Sequence, residues 1–102
     1  MKKVIEGKMY NTETAEELAF RGNGLTPNDF DYVGETLYRT KNGNYFLHGE
    51  GGARTQYAVS NGRTVYGGSN ILPMTIEQAK SWAEEHLDGD EYIEIFGEPE
   101  EA

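Results

Sequence analysis

The chain contains no cysteine. Disulfide staples, thiol catalysis and cysteine-ligated metals are therefore excluded. Long apolar runs are also missing. No stretch approaches the roughly 18 consecutive apolar residues of a spanning helix. The opening MKKVIEGKMY has a lysine pair but no apolar run of the length a signal peptide uses. The resulting expectation is a soluble cytoplasmic protein with no membrane partner. Histidine is scarce: His48 and His86 stand alone and far apart, which gives a zinc site little support. Proline occurs three times and tryptophan once, at position 82.

Bases are missing from one region in particular. Residues 1–76 hold eight acids and eight bases, which cancel, whereas residues 77–102 hold ten acids against Lys80 alone. The net charge of −9 thus belongs wholly to the last quarter of the chain. Such a field attracts basic partners and repels nucleic acid.

What the chain does have is glycine and aromatic residues. Thirteen glycines alternate with strand-forming residues, so they read as turns. A chain of 102 residues buries roughly two-thirds of its unfolded surface, and its twelve aromatics, seven of them tyrosine, enlarge that small core. Length predicts one domain, residues 1–97, with an acidic solvated tail at 98–102.

In chain order, Val4-Ile5 and Met9-Tyr10 around Glu6-Gly7-Lys8 read as a short hairpin. Thr14 with Glu17 matches a capping box, and Ala15, Leu18 and Ala19 share a helical face, so a helix is expected there, stopped by Gly22 and Gly24. Phe30, Tyr32 and Val33 are expected to pin an irregular loop to the core. ETLYRT and NYFLHG around Lys41-Asn42-Gly43 form the strongest hairpin signature. A two-residue turn pairs Tyr38 and Thr40 with Tyr45 and Leu47; a three-residue loop with Gly43 in a bulge shifts that pairing. Residues 53–69 read equally as a hairpin turning at Asn61-Gly62 or as loop with aromatic anchors. Ile71–Met74 is an expected edge strand because Pro73 lacks a ladder donor.

Thr75 with Gln78 is a second capping box, opening a helix whose Ile76, Ala79, Trp82, Ala83, His86 and Leu87 share one arc. Asp88-Gly89 breaks it, and Asp90 is expected to cap a last short helix from Glu91 to Phe96. The expected fold is α+β: an antiparallel sheet built from hairpins with two to three helices on one face.

Candidate chemistry is sparse. His48 and Glu50 end a strand at the glycine-rich GEGGAR stretch, residues 49–54, and with Arg54 they form a candidate small-ligand or anion site. That stretch lacks the Gly-Lys-Ser/Thr ending of a phosphate loop. His86 near Asp88 and Asp90 suits a helix-end histidine better than a metal ligand. Asp88-Gly89-Asp90-Glu91 is too short for a calcium loop of twelve positions. No catalytic triad, carboxylate pair or cofactor fingerprint assembles, so the expectation is a non-enzymatic protein without cofactor or metal. The remaining feature is the acidic segment: Glu77, Glu84, Glu85, Asp88, Asp90, Glu91 and Glu94 form a candidate partner-binding surface. A solubilising face accounts for the same residues without a partner.

YNTETAEELA, ETLYRTKNGNYFLHGEGG and ILPMTIEQAKSWAEEHLDGDEYIEIFG together resemble a group of small uncharacterised proteins of Firmicutes prophages and mobile elements. The resemblance implies an accessory or anti-defence factor, with the small, acidic, non-enzymatic character of anti-CRISPR proteins, and carries no catalytic residues. Its partner would be a basic protein surface, such as the groove of a nucleic-acid-binding defence effector. A homodimer formed through a sheet edge or exposed aromatics is a third reading.

Overall fold

The computed structural model describes all 102 residues. Its strands are β1 (Lys2–Ile5), β2 (Lys8–Asn11), β3 (Glu16–Gly22), β4 (Val33–Arg39), β5 (Tyr45–Gly51), β6 (Val59–Asn61), β7 (Thr64–Tyr66) and β8 (Gly68–Met74), followed by helices α1 (Ile76–His86) and α2 (Gly89–Phe96). The fold is α+β, and every strand pairing is antiparallel.

Turn residues set the registers. β1 and β2 join through Glu6-Gly7, both at positive φ (51° and 78°), the combination a type I′ turn requires. Between β4 and β5 the Thr40 N–H donates to the Asn44 carbonyl (2.8 Å) and Gly43 has φ 85°. This is the three-residue loop. Leu37 therefore faces Leu47 and Tyr38 faces Phe46. A two-residue turn would instead have put Tyr38 opposite Leu47. The choice places Glu35, Leu37 and Leu47 on one face of the sheet and Thr36, Tyr38, Phe46 and His48 on the other. β6 and β7 join through Gly62-Arg63, so the even-handed reading of residues 53–69 resolves to a hairpin, confined to residues 59–66.

One expected element is overturned. The segment after Thr14 is not a helix: residues 16–22 form β3, paired with β4 from Glu16↔Arg39 to Gly22↔Gly34. The β4–β5 hairpin offers an open edge, and a full ladder along it outweighs the few tenths of a kcal/mol per residue that helix propensity commands. The ladder shifts register between Glu17 and Ala19. Leu18 is the extra residue of this bulge, so Leu18 and Ala19, though consecutive, both pack on the same core cluster. Adjacent apolar residues on one face mimic helical spacing in the sequence.

The central sheet has the order β3-β4-β5-β8, with Pro73 on the edge strand as expected. Leu37 and Leu47 meet Ala79, Trp82 and Ala83 of α1 on one face, with Tyr92 and Phe96 of α2 packed alongside. The other face is partly covered by the β1–β2 hairpin: Tyr10 meets Phe46 edge-on at 5.5 Å and Ile71 completes that cluster. Lys3 Nζ donates to Asn70 Oδ1 at 3.0 Å, tying the hairpin to β8. Within the loop before β4, Tyr32 is buried, whereas Phe30 is 61% exposed, with the Arg54 guanidinium 5.4 Å from its ring centre. Phe30 thus anchors a loop arginine and does not enter the core.

The capping box at Thr75 is present in both halves: Thr75 Oγ1 accepts from Gln78 N–H (3.1 Å) and Gln78 Oε1 from Thr75 N–H (2.8 Å). Thr75→Ala is expected to cost about 1 kcal/mol, read as a shift of the urea midpoint at unchanged slope. The second cap differs from expectation. Asp88, not Asp90, caps α2, with Oδ1 accepting from Glu91 N–H at 2.9 Å. The helix starts at Gly89, so Asp90 and Glu91 fall in its first turn, where the helix dipole favours carboxylates. Gly97 ends it at φ 88°.

Candidate functional site

The helical layer carries the charge. α1 turns Ala79, Trp82 and Ala83 inward, which leaves Glu77, Glu84 and Glu85 outside. Tyr92 and Phe96 of α2 pack on the same core cluster, and the Phe96 ring lies 5.7 Å from that of Tyr45 on β5. Asp88, Asp90, Glu91 and Glu94 are exposed on this second helix and its cap, so all seven acids named from the sequence lie on the surface of one two-helix layer. Between the helices runs a groove of about 370 Å³. Ala83, Leu87, Tyr92 and Ile93 supply its apolar lining, Glu84 and Asp88 its acidic members, and Pro99 of the tail reaches it. This arrangement can take an apolar anchor flanked by cationic side chains. His86 lies at the end of α1, its ring 5.4 Å from Trp82 and its Nε2 3.9 Å from Glu85 Oε2. No set of three His, Asp or Glu side chains is placed to hold a metal ion.

In the second candidate set from the sequence, Glu50 and Arg54 each have a partner outside the set. His48 stands opposite Thr36 and Ile71 on the face partly covered by the β1–β2 hairpin. Glu50 accepts from the Tyr32 hydroxyl at 3.2 Å; burial first, then the Glu50 charge, pushes the Tyr32 phenol above its usual range. Arg54 spends its fork on Asp31, with Nε to Oδ1 at 3.0 Å and a terminal nitrogen to Oδ2 at 2.9 Å. The glycines between them serve close packing. A Cβ on Gly52 would lie 2.4 Å from the Asp29 carbonyl oxygen, and one on Gly51 would lie 2.3 Å from Thr55 Oγ1. The 29–32 segment meets the end of β5 and the turn after it backbone to backbone, and only glycine allows that approach.

Sequence reasoning missed the most elaborate polar centre. Glu35 on β4 is 3% exposed. Its carboxylate accepts from Arg21 Nε (2.8 Å), Trp82 Nε1 (3.1 Å), Gln56 Nε2 (3.5 Å) and the Tyr57 hydroxyl. Burial pushes the Glu35 carboxyl up, but the hydrogen bonds from Tyr57, Trp82 and Arg21 overcome it, and the group rests below its ordinary value. Burial, followed by the bond to Glu35, drives the Tyr57 phenol strongly upward, so it remains a donor. Every buried side-chain polar atom is satisfied. The clue was phase: Glu35 shares its sheet face with Leu37, so an acid two residues from a core leucine demanded partners. With all its oxygens engaged by donors, this centre joins β3, β4, the 52–58 loop and α1; it is a tie between elements.

No protein-family model, curated protein or solved structure matches the chain.

Proposed function

We propose that the chain is a non-enzymatic binding protein that presents its acidic two-helix layer to a basic protein surface, in the manner of an anti-defence inhibitor of mobile-element type. A groove that binds nucleic acid is the fitting partner, because exposed carboxylates on two helices compete for the same cations as phosphates. One observation carries this reading: Glu77, Glu84, Glu85, Asp88, Asp90, Glu91 and Glu94 are all exposed on one layer, and Glu84 and Asp88 line a groove with apolar members between its helices. Charge steers the encounter, and the groove supplies the desolvated centre that gives an interface its affinity. The Glu35 tie holds α1 to the sheet through the Trp82 indole.

Parallel capture with wild type and the Glu84→Lys/Glu85→Lys variant as baits, quantified by mass spectrometry, tests it. Both glutamates are exposed, so the variant keeps the fold. Basic nucleic-acid-binding proteins should be retained by wild type, displaced by duplex DNA, and reduced about tenfold or more on the variant, equivalent to about 1.4 kcal/mol. Equal recovery of the same proteins on both baits contradicts the proposal.

A further inference from the structure

At the opposite side of the sheet from the helices, the β1–β2 hairpin and the β4–β5 loop enclose a cleft of about 430 Å³. It is independent of the acidic layer. Its lining contains Lys8 and Lys41 and no carboxylate, in a protein of net charge −9. Neither lysine is engaged in an ion pair. A second hollow of about 420 Å³ shares Thr14, Thr40 and Lys41 with it; the acid there, Glu16, is taken up by Arg39 at 2.8 Å.

Two internal hydrogen bonds of the cleft consume acceptors and leave donors. Asn11 Oδ1 accepts from Glu13 N–H at 2.9 Å, which leaves its Nδ2 group free. Thr40 Oγ1 accepts from Asn44 N–H at 3.1 Å, which leaves its hydroxyl proton free. Asn42 and Asn44, whose side-chain amides carry both donors and acceptors, also line the space. Two ammonium groups and several unspent N–H and O–H donors, with no carboxylate among them, suit an oxyanion. The volume lies in the range of small-molecule sites, and the lining is too polar for an apolar ligand.

We infer that this cleft binds a small phosphorylated, hydroxyl-rich molecule of sugar-phosphate to mononucleotide size. Lys8 and Lys41 hold the phosphoryl group, and the asparagine amides and threonine hydroxyls hold the hydroxylated body. The screening length at physiological salt, about 8 Å, limits the reach of the helical carboxylates; the exposed acids Glu6 and Glu13 adjoin the lining residues Gly7 and Thr14 in sequence but do not line the cleft.

Titration of the ¹⁵N-labelled protein with ribose 5-phosphate, inorganic phosphate and ribose, followed by amide chemical shifts, tests the inference. Ribose 5-phosphate should produce saturable shifts at Lys8, Thr14, Asn42 and Asn44, weakened about tenfold or more in Lys8→Ala/Lys41→Ala. Both lysines are exposed, and the variant's undisturbed spectrum elsewhere verifies its fold. No saturable shift at these positions, or one undiminished in the variant, overturns the site. Inorganic phosphate binding as tightly as ribose 5-phosphate overturns the hydroxylated body, as does ribose alone binding equally well for the phosphoryl group.

Discussion

Glu35→Ala should destabilise the fold by about 3–5 kcal/mol, the cost of leaving a buried ionic partner uncompensated. The Trp82 indole N–H and the Tyr57 hydroxyl lose a common acceptor, and the Arg21 guanidinium loses its 2.8 Å partner. Urea unfolding would show it as a large drop in midpoint. Glu35→Gln keeps the shape and removes the charge, which isolates the pH dependence. The folded carboxyl lies below its ordinary value, so its contribution is fully present above the unfolded value of about 4.3. It is lost as pH falls through the folded value. The stability gap between wild type and Glu35→Gln should therefore hold from pH 7 to about 5 and narrow below that. The numerous surface acids titrate in both proteins and largely cancel in the difference. A gap independent of pH down to about 3 would mean that the carboxylate is not held in its charged form.

Gly49→Ala should cost about 3 kcal/mol, although the glycine has an ordinary strand conformation. The cause is the ring laid over it. A Cβ at this position would stand 2.0 Å from Tyr57 Cζ and 2.1 Å from its hydroxyl oxygen. The ring has to leave, and its bond to Glu35 goes with it. Overpacking costs about 1–3 kcal/mol, and loss of a hydrogen bond to a charged group costs about 1.5–3. The two losses are one event, which a double-mutant cycle resolves. In a Tyr57→Ala background the same Gly49→Ala change should cost well under 1 kcal/mol. Additive losses would place the strain elsewhere than on Tyr57.

Much of this arrangement was legible in local chemistry. Thr75 with Gln78 defined the start of α1, and Pro73 marked the edge strand ahead of it. Glu6-Gly7-Lys8 and Lys41-Asn42-Gly43 marked the turns of two hairpins, although the first turn proved to be Glu6-Gly7 alone and the three-residue loop had to be distinguished from the two-residue one by its pairing. What escaped was set at long range. β3 reads as a helix because the bulge at Leu18 puts two neighbouring apolar residues on one face. Only the open edge of β4 makes it a strand. Asp88 and Asp90 are both competent caps, and the helix begins after Asp88, whose side chain accepts from the Glu91 N–H. Glu35 looked like one more acid in the charge balance. Its partners Arg21, Gln56, Tyr57 and Trp82 lie 14 to 47 residues away, so no local pattern could reveal them. For the site, the acids were visible as a charge block, whereas the groove between them depends on how α1 and α2 pack.

Glu35 and Gly49 concern how the acidic layer is held; the layer itself carries the functional proposal. Its most direct test is the affinity of a captured basic partner for wild type and for Glu84→Lys/Glu85→Lys across a salt series. Wild-type affinity should fall steeply as salt rises, and the variant should bind about tenfold or more weakly at low salt with a flatter dependence. Equal affinities and equal slopes for the two proteins would contradict the assignment of the helical carboxylates as the contact surface.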